Sequence, residues 1–150
     1  MKLILSGATG YVGKHVAARL LELGHEVWVL ARSRNTGARE RVLAALAPFA
    51  PGLPRNWQAR IGVVEGDVTQ AACGVGPGEL AALRAVRLDA FIHCAGLTRF
   101  EEHLRGALFA HNLDGTRNAR QLAQTLGCAR FHHISTAFVA GRAPAEFGAR

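Results

Sequence analysis

Cysteine is scarce in this chain, and the three present, Cys73, Cys94 and Cys128, are scattered and never form a C-x-x-C pair. An odd, dispersed set excludes a disulfide framework and a paired-cysteine zinc site, and it suits a reducing, cytoplasmic compartment. No apolar run approaches the ~20 residues that cross a bilayer, so no membrane partner is expected. The opening Met1-Lys2-Leu3-Ile4-Leu5 runs straight into Gly7, which is too short for a secretory leader and reads as a first strand. Acidic residues are outnumbered, 11 Asp and Glu against 18 Lys and Arg, for a formal charge of +7. Such a surface attracts phosphorylated cofactors, acidic carriers or nucleic acid. The arginines are spread throughout and aromatics do not interleave with them, so no nucleic-acid surface is expected. Tyrosine is limited to Tyr11, and lysine to Lys2 and Lys14.

What is present is a core. Hydrophobic residues make up 49 % of 150 positions, enough for one packed domain over 1–150. Short β-rich runs alternate with longer amphipathic ones, the pattern of βαβ units and a parallel sheet. Strands are expected at Lys2–Ser6, Glu26–Ala31, Ile61–Glu65, Ala90–Cys94 and Phe131–Ser135. Helices are expected at Tyr11–Leu23, where Val12, Val16 and Leu20 share a face, at Arg39–Ala47 and at Glu79–Val86. One long helix is expected over Glu102–Leu126. Gly24 and Gly127 sit where helices end, and Pro48, Pro51 and Pro54 mark a loop. These elements give an α/β, Rossmann-type doubly wound parallel sheet with strand order 3-2-1-4-5, and ligands bind such sheets at the carboxyl ends of the strands.

The first such end carries Gly7-Ala8-Thr9-Gly10-Tyr11-Val12-Gly13. Gly7 permits the tight turn, Gly10 lets a pyrophosphate approach the backbone, and Gly13 lets the helix pack close to the sheet. The following helix N-terminus offers N–H groups and a positive dipole end. Strand two ends Ala31-Arg32-Ser33-Arg34, where an NAD-binding fold would place an acid for the ribose 2′-hydroxyl. A guanidinium instead grips a 2′-phosphate, so NADP(H) is favoured over NAD(H), with Arg32, Ser33 and Arg34 as its ligands.

With these motifs in order, the chain resembles the extended short-chain dehydrogenase/reductase family, also known as the NAD-dependent epimerase/dehydratase superfamily. GATGYVG resembles its nucleotide turn. Gly66-Asp67-Val68 resembles its acid after strand three, which implies that Asp67 bonds the adenine amino group and Val68 lines the ring. His93-Cys94-Ala95-Gly96 resembles the strand-four segment beside the cofactor, although Cys94 reads as inert packing rather than a nucleophile. His111-Asn112-Leu113-Asp114-Gly115 resembles the helix segment in which Asn112 supports the active site. His133-Ile134-Ser135-Thr136-Ala137-Phe138-Val139-Ala140-Gly141 resembles the strand-five motif, which implies that Thr136 polarises a substrate carbonyl beside Ser135. ARIGVVEGDVT, FIHCAGLTRF and HHISTAFVAG are similar to thioester reductase and fatty acyl reductase domains of the male sterility type. Those reduce acyl thioesters with NADPH, which implies a small-molecule or carrier-bound acyl substrate. His132 and His133 alternate across the strand and are not read as metal ligands.

The family also needs a Tyr-x-x-x-Lys pair after the Ser/Thr motif, and neither Tyr11 nor the two lysines can supply it. The chain is therefore read as the C-terminally truncated, NADP(H)-binding portion of an oxidoreductase. It is expected to be inactive alone, with the substrate-binding part absent and strand five leaving an apolar edge open to self-association. Two alternatives stand beside this: an NAD-dependent sugar epimerase or dehydratase, and a non-catalytic NADP-binding sensor module, which would lack the pair by nature.

Overall fold

The computed structural model describes residues 1–99 and 101–136. Its frame is a five-stranded parallel sheet of β1 (Lys2–Ser6), β2 (Glu26–Ala31), β3 (Ile61–Glu65), β4 (Ala90–His93) and β5 (Arg130–His133), in the order β3-β2-β1-β4-β5. This is the expected Rossmann-like topology. Alternation along the central strands feeds two cores. Leu5, Val27 and Val29 face α1 (Tyr11–Glu22) and α2 (Ala38–Leu46). Ile4, Leu30, Val64 and Phe91 face the other layer, built by α3 (Pro77–Val86) and by α5 (Gly115–Thr125), which follows the short α4 (Arg105–Leu108). Phe91 is wholly buried, and a side chain of that size contributes about 3 kcal/mol by leaving water.

The departures from expectation have local causes. In α1 the buried residues are Gly13, Ala17, Ala18 and Leu21, while Val12 is exposed and Val16 and Leu20 are only half-buried. Small side chains let this helix lie close to the sheet, so the large apolar stripe falls to its flank. The proline-rich segment is not loop throughout: 3₁₀ turns occupy Ala47–Gly52 and Trp57–Arg60. Pro48 at the start of the first turn needs no N–H there. The long helix expected over Glu102–Leu126 is four pieces: a 3₁₀ turn at Glu102–Leu104, α4, a π-turn at Phe109–Asp114 and α5. β4 ends at His93, but Cys94 N–H still donates to the Ser6 carbonyl at 3.2 Å. β5 ends at His133, leaving Ser135 and Thr136 beyond it, and Ala137–Gly141 of the strand-five motif lie outside the described residues. Along β5, Arg130, His132 and His133 are exposed and Phe131 is half-buried. No helix among the described residues is long and apolar enough to cross a membrane.

Candidate functional site

The site begins where β1 runs into α1. Gly7 has φ +79°, and a Cβ there would lie 2.6 Å from the Ala95 nitrogen. A Cβ on Gly13 would overlap the Gly7 carbonyl oxygen. The turn, the loop after β4 and the first turn of α1 are thus in backbone contact, and only glycine fits at either point. Gly10 N–H donates to the Gly7 carbonyl at 2.9 Å and closes the turn. Gly10 is also the N-cap of α1, with no side-chain cap and no acid in the first turn. The N–H groups and positive dipole end there are neither capped by a side chain nor opposed by a local carboxylate. That open, cationic backbone cradle fits a pyrophosphate.

The cradle forms one wall of a cleft of about 180 Å³ at the carboxyl edge of the sheet. Of the expected residues, the structure brings together Gly7, Thr9, Gly10, Arg32, Asp67, Val68, Cys94, Ala95 and Gly96 around it. Tyr11 and Val12 point outward along the flank of α1 beside His15 and Val16, so any part they take in the cleft is through their backbone. Ser33 lines an adjoining recess with Gln70 and Gly74, and its hydroxyl accepts from Ala38 N–H at 3.1 Å to brace α2. Arg34 is exposed and does not line either hollow, its backbone N–H donating to the Thr36 carbonyl.

Two residues at this edge were not expected. Arg41 extends from α2, donates to the Arg32 carbonyl and lines the cleft beside Arg32. His111 lines the opposite side, its Nδ1 donating to the Ala107 carbonyl at 2.9 Å. The signal for Arg41 was positional: in a βαβ unit the first half of the helix after strand two returns over the strand's carboxyl end.

Asp67 is the anchored acid of the cleft. Thr69 donates to it from both backbone N–H and hydroxyl at 2.9 Å, and Arg32 lies 3.4 Å away. Burial alone would raise its pKa, but the Thr69 hydrogen bonds and the Arg32 charge outweigh that and hold it below 3.8. Asp67 N–H in turn donates to the Cys73 carbonyl at 2.8 Å, from a segment where Ala72 and Cys73 both adopt left-handed backbone. Burial, then the Asp67 charge, pushes the Cys73 thiol up to about 12, and burial pushes Cys94 up to about 11. Neither thiol is a nucleophile at neutral pH.

Asn112 sits in the π-turn and clamps the loop after β4. Its Nδ2 donates to the Leu97 carbonyl at 2.9 Å and its Oδ1 accepts from Leu97 N–H at 2.7 Å. Ser135 and Thr136 are exposed and follow β5 at the same edge of the sheet. The arrangement offers a backbone phosphate cradle, two guanidinium groups, one fixed carboxylate and a clamped loop.

Such a sheet with such a cleft defines an NAD(P)-binding Rossmann domain of the reductase and epimerase class. The chain belongs to the male sterility protein family, whose sequence profile matches residues 5–150. It is 29 % identical over 146 residues to a UDP-glucose 4-epimerase of Klebsiella pneumoniae, covering 96 % of this chain and 95 % of that one. Among solved structures, it resembles the terminal R domain from the myxalamid PKS-NRPS biosynthetic pathway at 28 % identity and a TM-score of 0.73. That match covers 90 % of this chain and 34 % of the R domain. The PhqB reductase domain from Penicillium fellutanum is 26 % identical with a TM-score of 0.69, covering 99 % of this chain and 39 % of that one. The chain thus spans between a third and two fifths of these two solved reductase chains.

Proposed function

We propose that this chain is the NADP(H)-binding portion of a reductase acting on a carbonyl or acyl-thioester substrate, the latter held on a carrier. The observation that carries the cofactor choice is the end of β2. No acid stands there, and Arg32 lines the cleft with Arg41 as a second guanidinium beside it. A 2′-phosphate placed there meets two cations, whereas a 2′-hydroxyl meets no carboxylate from β2. Asp67 and Val68 hold the adenine, and the cradle at Gly7, Gly10 and Gly13 holds the pyrophosphate. Backbone groups of Tyr11 and Val12 complete that cradle, with Thr9 beside it. Ser33 and Arg34 stand at the outer rim of the 2′ corner, and Cys94, Ala95 and Gly96 line the path toward the nicotinamide end.

When bound, the cofactor supplies a hydride for the substrate carbon. The chain's own part is to bind, orient and polarise. Thr136 donates to the oxygen on which charge develops, with Ser135 as its neighbour, and Asn112 fixes the loop that borders the reacting end. Proton delivery requires a group other than Tyr11, which faces away from the cleft. The 150-residue chain is therefore expected to bind nucleotide without normal turnover.

A second reading, a sugar-nucleotide epimerase or dehydratase that retains NAD, is favoured by the similarity to the Klebsiella epimerase. The two part on one titration. Tighter binding of NADPH than of NADH, read by calorimetry, is expected, and Arg32→Asp is expected to reverse the preference. Tighter binding of NADH by the unaltered chain supports the epimerase reading instead. An unchanged ratio in Arg32→Asp removes Arg32 from the site. A chain that binds nucleotide with no catalytic residues downstream in its gene would be the sensor module.

A further inference from the structure

His93 is a wholly buried imidazole at the end of β4, and no step of the proposed chemistry uses it. Its Nδ1 lies 2.7 Å from Ser6 Oγ, and its Nε2 lies 3.3 Å from Thr116 Oγ1. The direction of each bond is fixed from outside the ring. Thr116 Oγ1 donates to the Asn112 carbonyl at 2.7 Å, so its single proton is committed and it accepts from His93 Nε2–H. A neutral ring with Nε2–H has a bare Nδ1, which accepts the Ser6 hydroxyl proton. Ser6 Oγ accepts in turn from Ala95 N–H at 3.4 Å. The result is a one-way chain from Ala95 N–H through Ser6, His93 and Thr116 to the Asn112 carbonyl.

Both ends of this chain adjoin the cleft: Ala95 lines it, and Asn112 follows His111, which lines it too. Ser6 immediately precedes Gly7, and Ala95 packs against Gly7. Asn112 holds Leu97, two residues beyond Ala95. The other groups around the ring are Phe91, Phe131 and the His133 ring, whose centroid is 5.3 Å away. A doubly protonated ring would turn both nitrogens into donors and leave the Ser6 proton without its acceptor.

We infer that His93 is a positioning residue that ties the phosphate turn to the Asn112 turn through this directed chain, so that the two walls of the cleft keep one geometry. Its effect on affinity rests on the nucleotide-binding reading, whereas the link itself does not.

The test uses the ¹⁵N-labelled 150-residue chain. Long-range imidazole spectra without nucleotide are expected to show His93 protonated at Nε2 and bare at Nδ1. Thr116→Val removes the acceptor at the far end with little change of shape. It is expected to shift the amide signals of Ser6, Gly7 and Ala95, while Thr116→Ser keeps the hydroxyl and leaves them near their original positions. Ser6→Ala breaks the chain from the other side and is expected to move the Thr116 and Asn112 signals. The opposite tautomer, or shifts confined to α5 in Thr116→Val, would overturn the link. In a chain that binds NADPH, Thr116→Val is expected to weaken it about five-fold, the equivalent of one hydrogen bond. An unchanged affinity overturns the positioning role. A chain that binds no nucleotide fails the proposed function, and the spectra still decide the link.

Discussion

β2 and β5 are both parallel strands, β2 beside the central β1 and β5 at the end of the order beside β4, and they are built differently. Val27, Val29, Leu30 and Ala31 of β2 are buried, with a helix layer on each face. β5 shows Arg130, His132 and His133 to solvent and keeps only Phe131 half-buried. The side of the molecule proposed to hold nucleotide is thus closely packed around β2. The hydroxyls proposed to act on substrate, Ser135 and Thr136, are exposed and follow β5, whose own residues are little buried. The two strands therefore differ in how much of their surface is packed away from water.

Substitutions test this difference. The largest effect is expected on the closed side of the register pair Phe91 and Phe131. Phe91→Ala should cost about 4 kcal/mol in urea unfolding and Phe131→Ala about 1 kcal/mol. Equal losses would mean that β5 is as well packed as β4. Gly13→Ala, whose methyl meets the Gly7 carbonyl, should cost on the order of 3 kcal/mol in thermal unfolding and abolish nucleotide binding.

Acid should expose the same seam. Burial, and then the nearby His133, pushes the His93 imidazole down to about 4, whereas an unfolded chain takes up that proton near 6.5. Stability from this site is complete above pH 6.5 and falls as the pH drops toward 4. The loss is about 2 kcal/mol at pH 5. Urea unfolding at pH 7 and pH 5 measures it, and His93→Gln should flatten the slope. The smallest effect is expected at the open surface: His132→Ala should change stability by no more than about 0.5 kcal/mol in the same assay.

The same division governed what could be read from the sequence. β1, β2 and β3 were legible to the residue because continuous apolar runs are bounded by turn residues such as Gly7, Gly24 and Gly66. The phosphate turn was legible because its glycines answer to backbone collisions. Arg41 was legible only as far as its position in the first half of the helix after β2, since its reach into the cleft depends on the angle at which α2 returns. The π-turn at Phe109–Asp114 was hidden for a related reason. Leu104 with Leu108, and Leu122 with Leu126, each keep a four-residue interval, and the extra residue falls between the pairs. Tyr11 shows the reverse: the motif names the residue, and the structure places its side chain on the outer flank of α1, which leaves its backbone to serve the cradle.

β1 sits between β2 and β4, and its first residues are tied to both: Glu26 N–H donates to the Met1 carbonyl, and Asp89 N–H donates to the Lys2 carbonyl. The first partner is about 25 residues away in sequence and the second almost 90. As the chain leaves the ribosome, β1 can pair on one side early, but its other edge waits until β4 has been made. For that interval β1, with Leu3, Ile4 and Leu5 in a row, offers an open ladder to any passing strand, so the order of synthesis makes it a segment that a chaperone would need to shield.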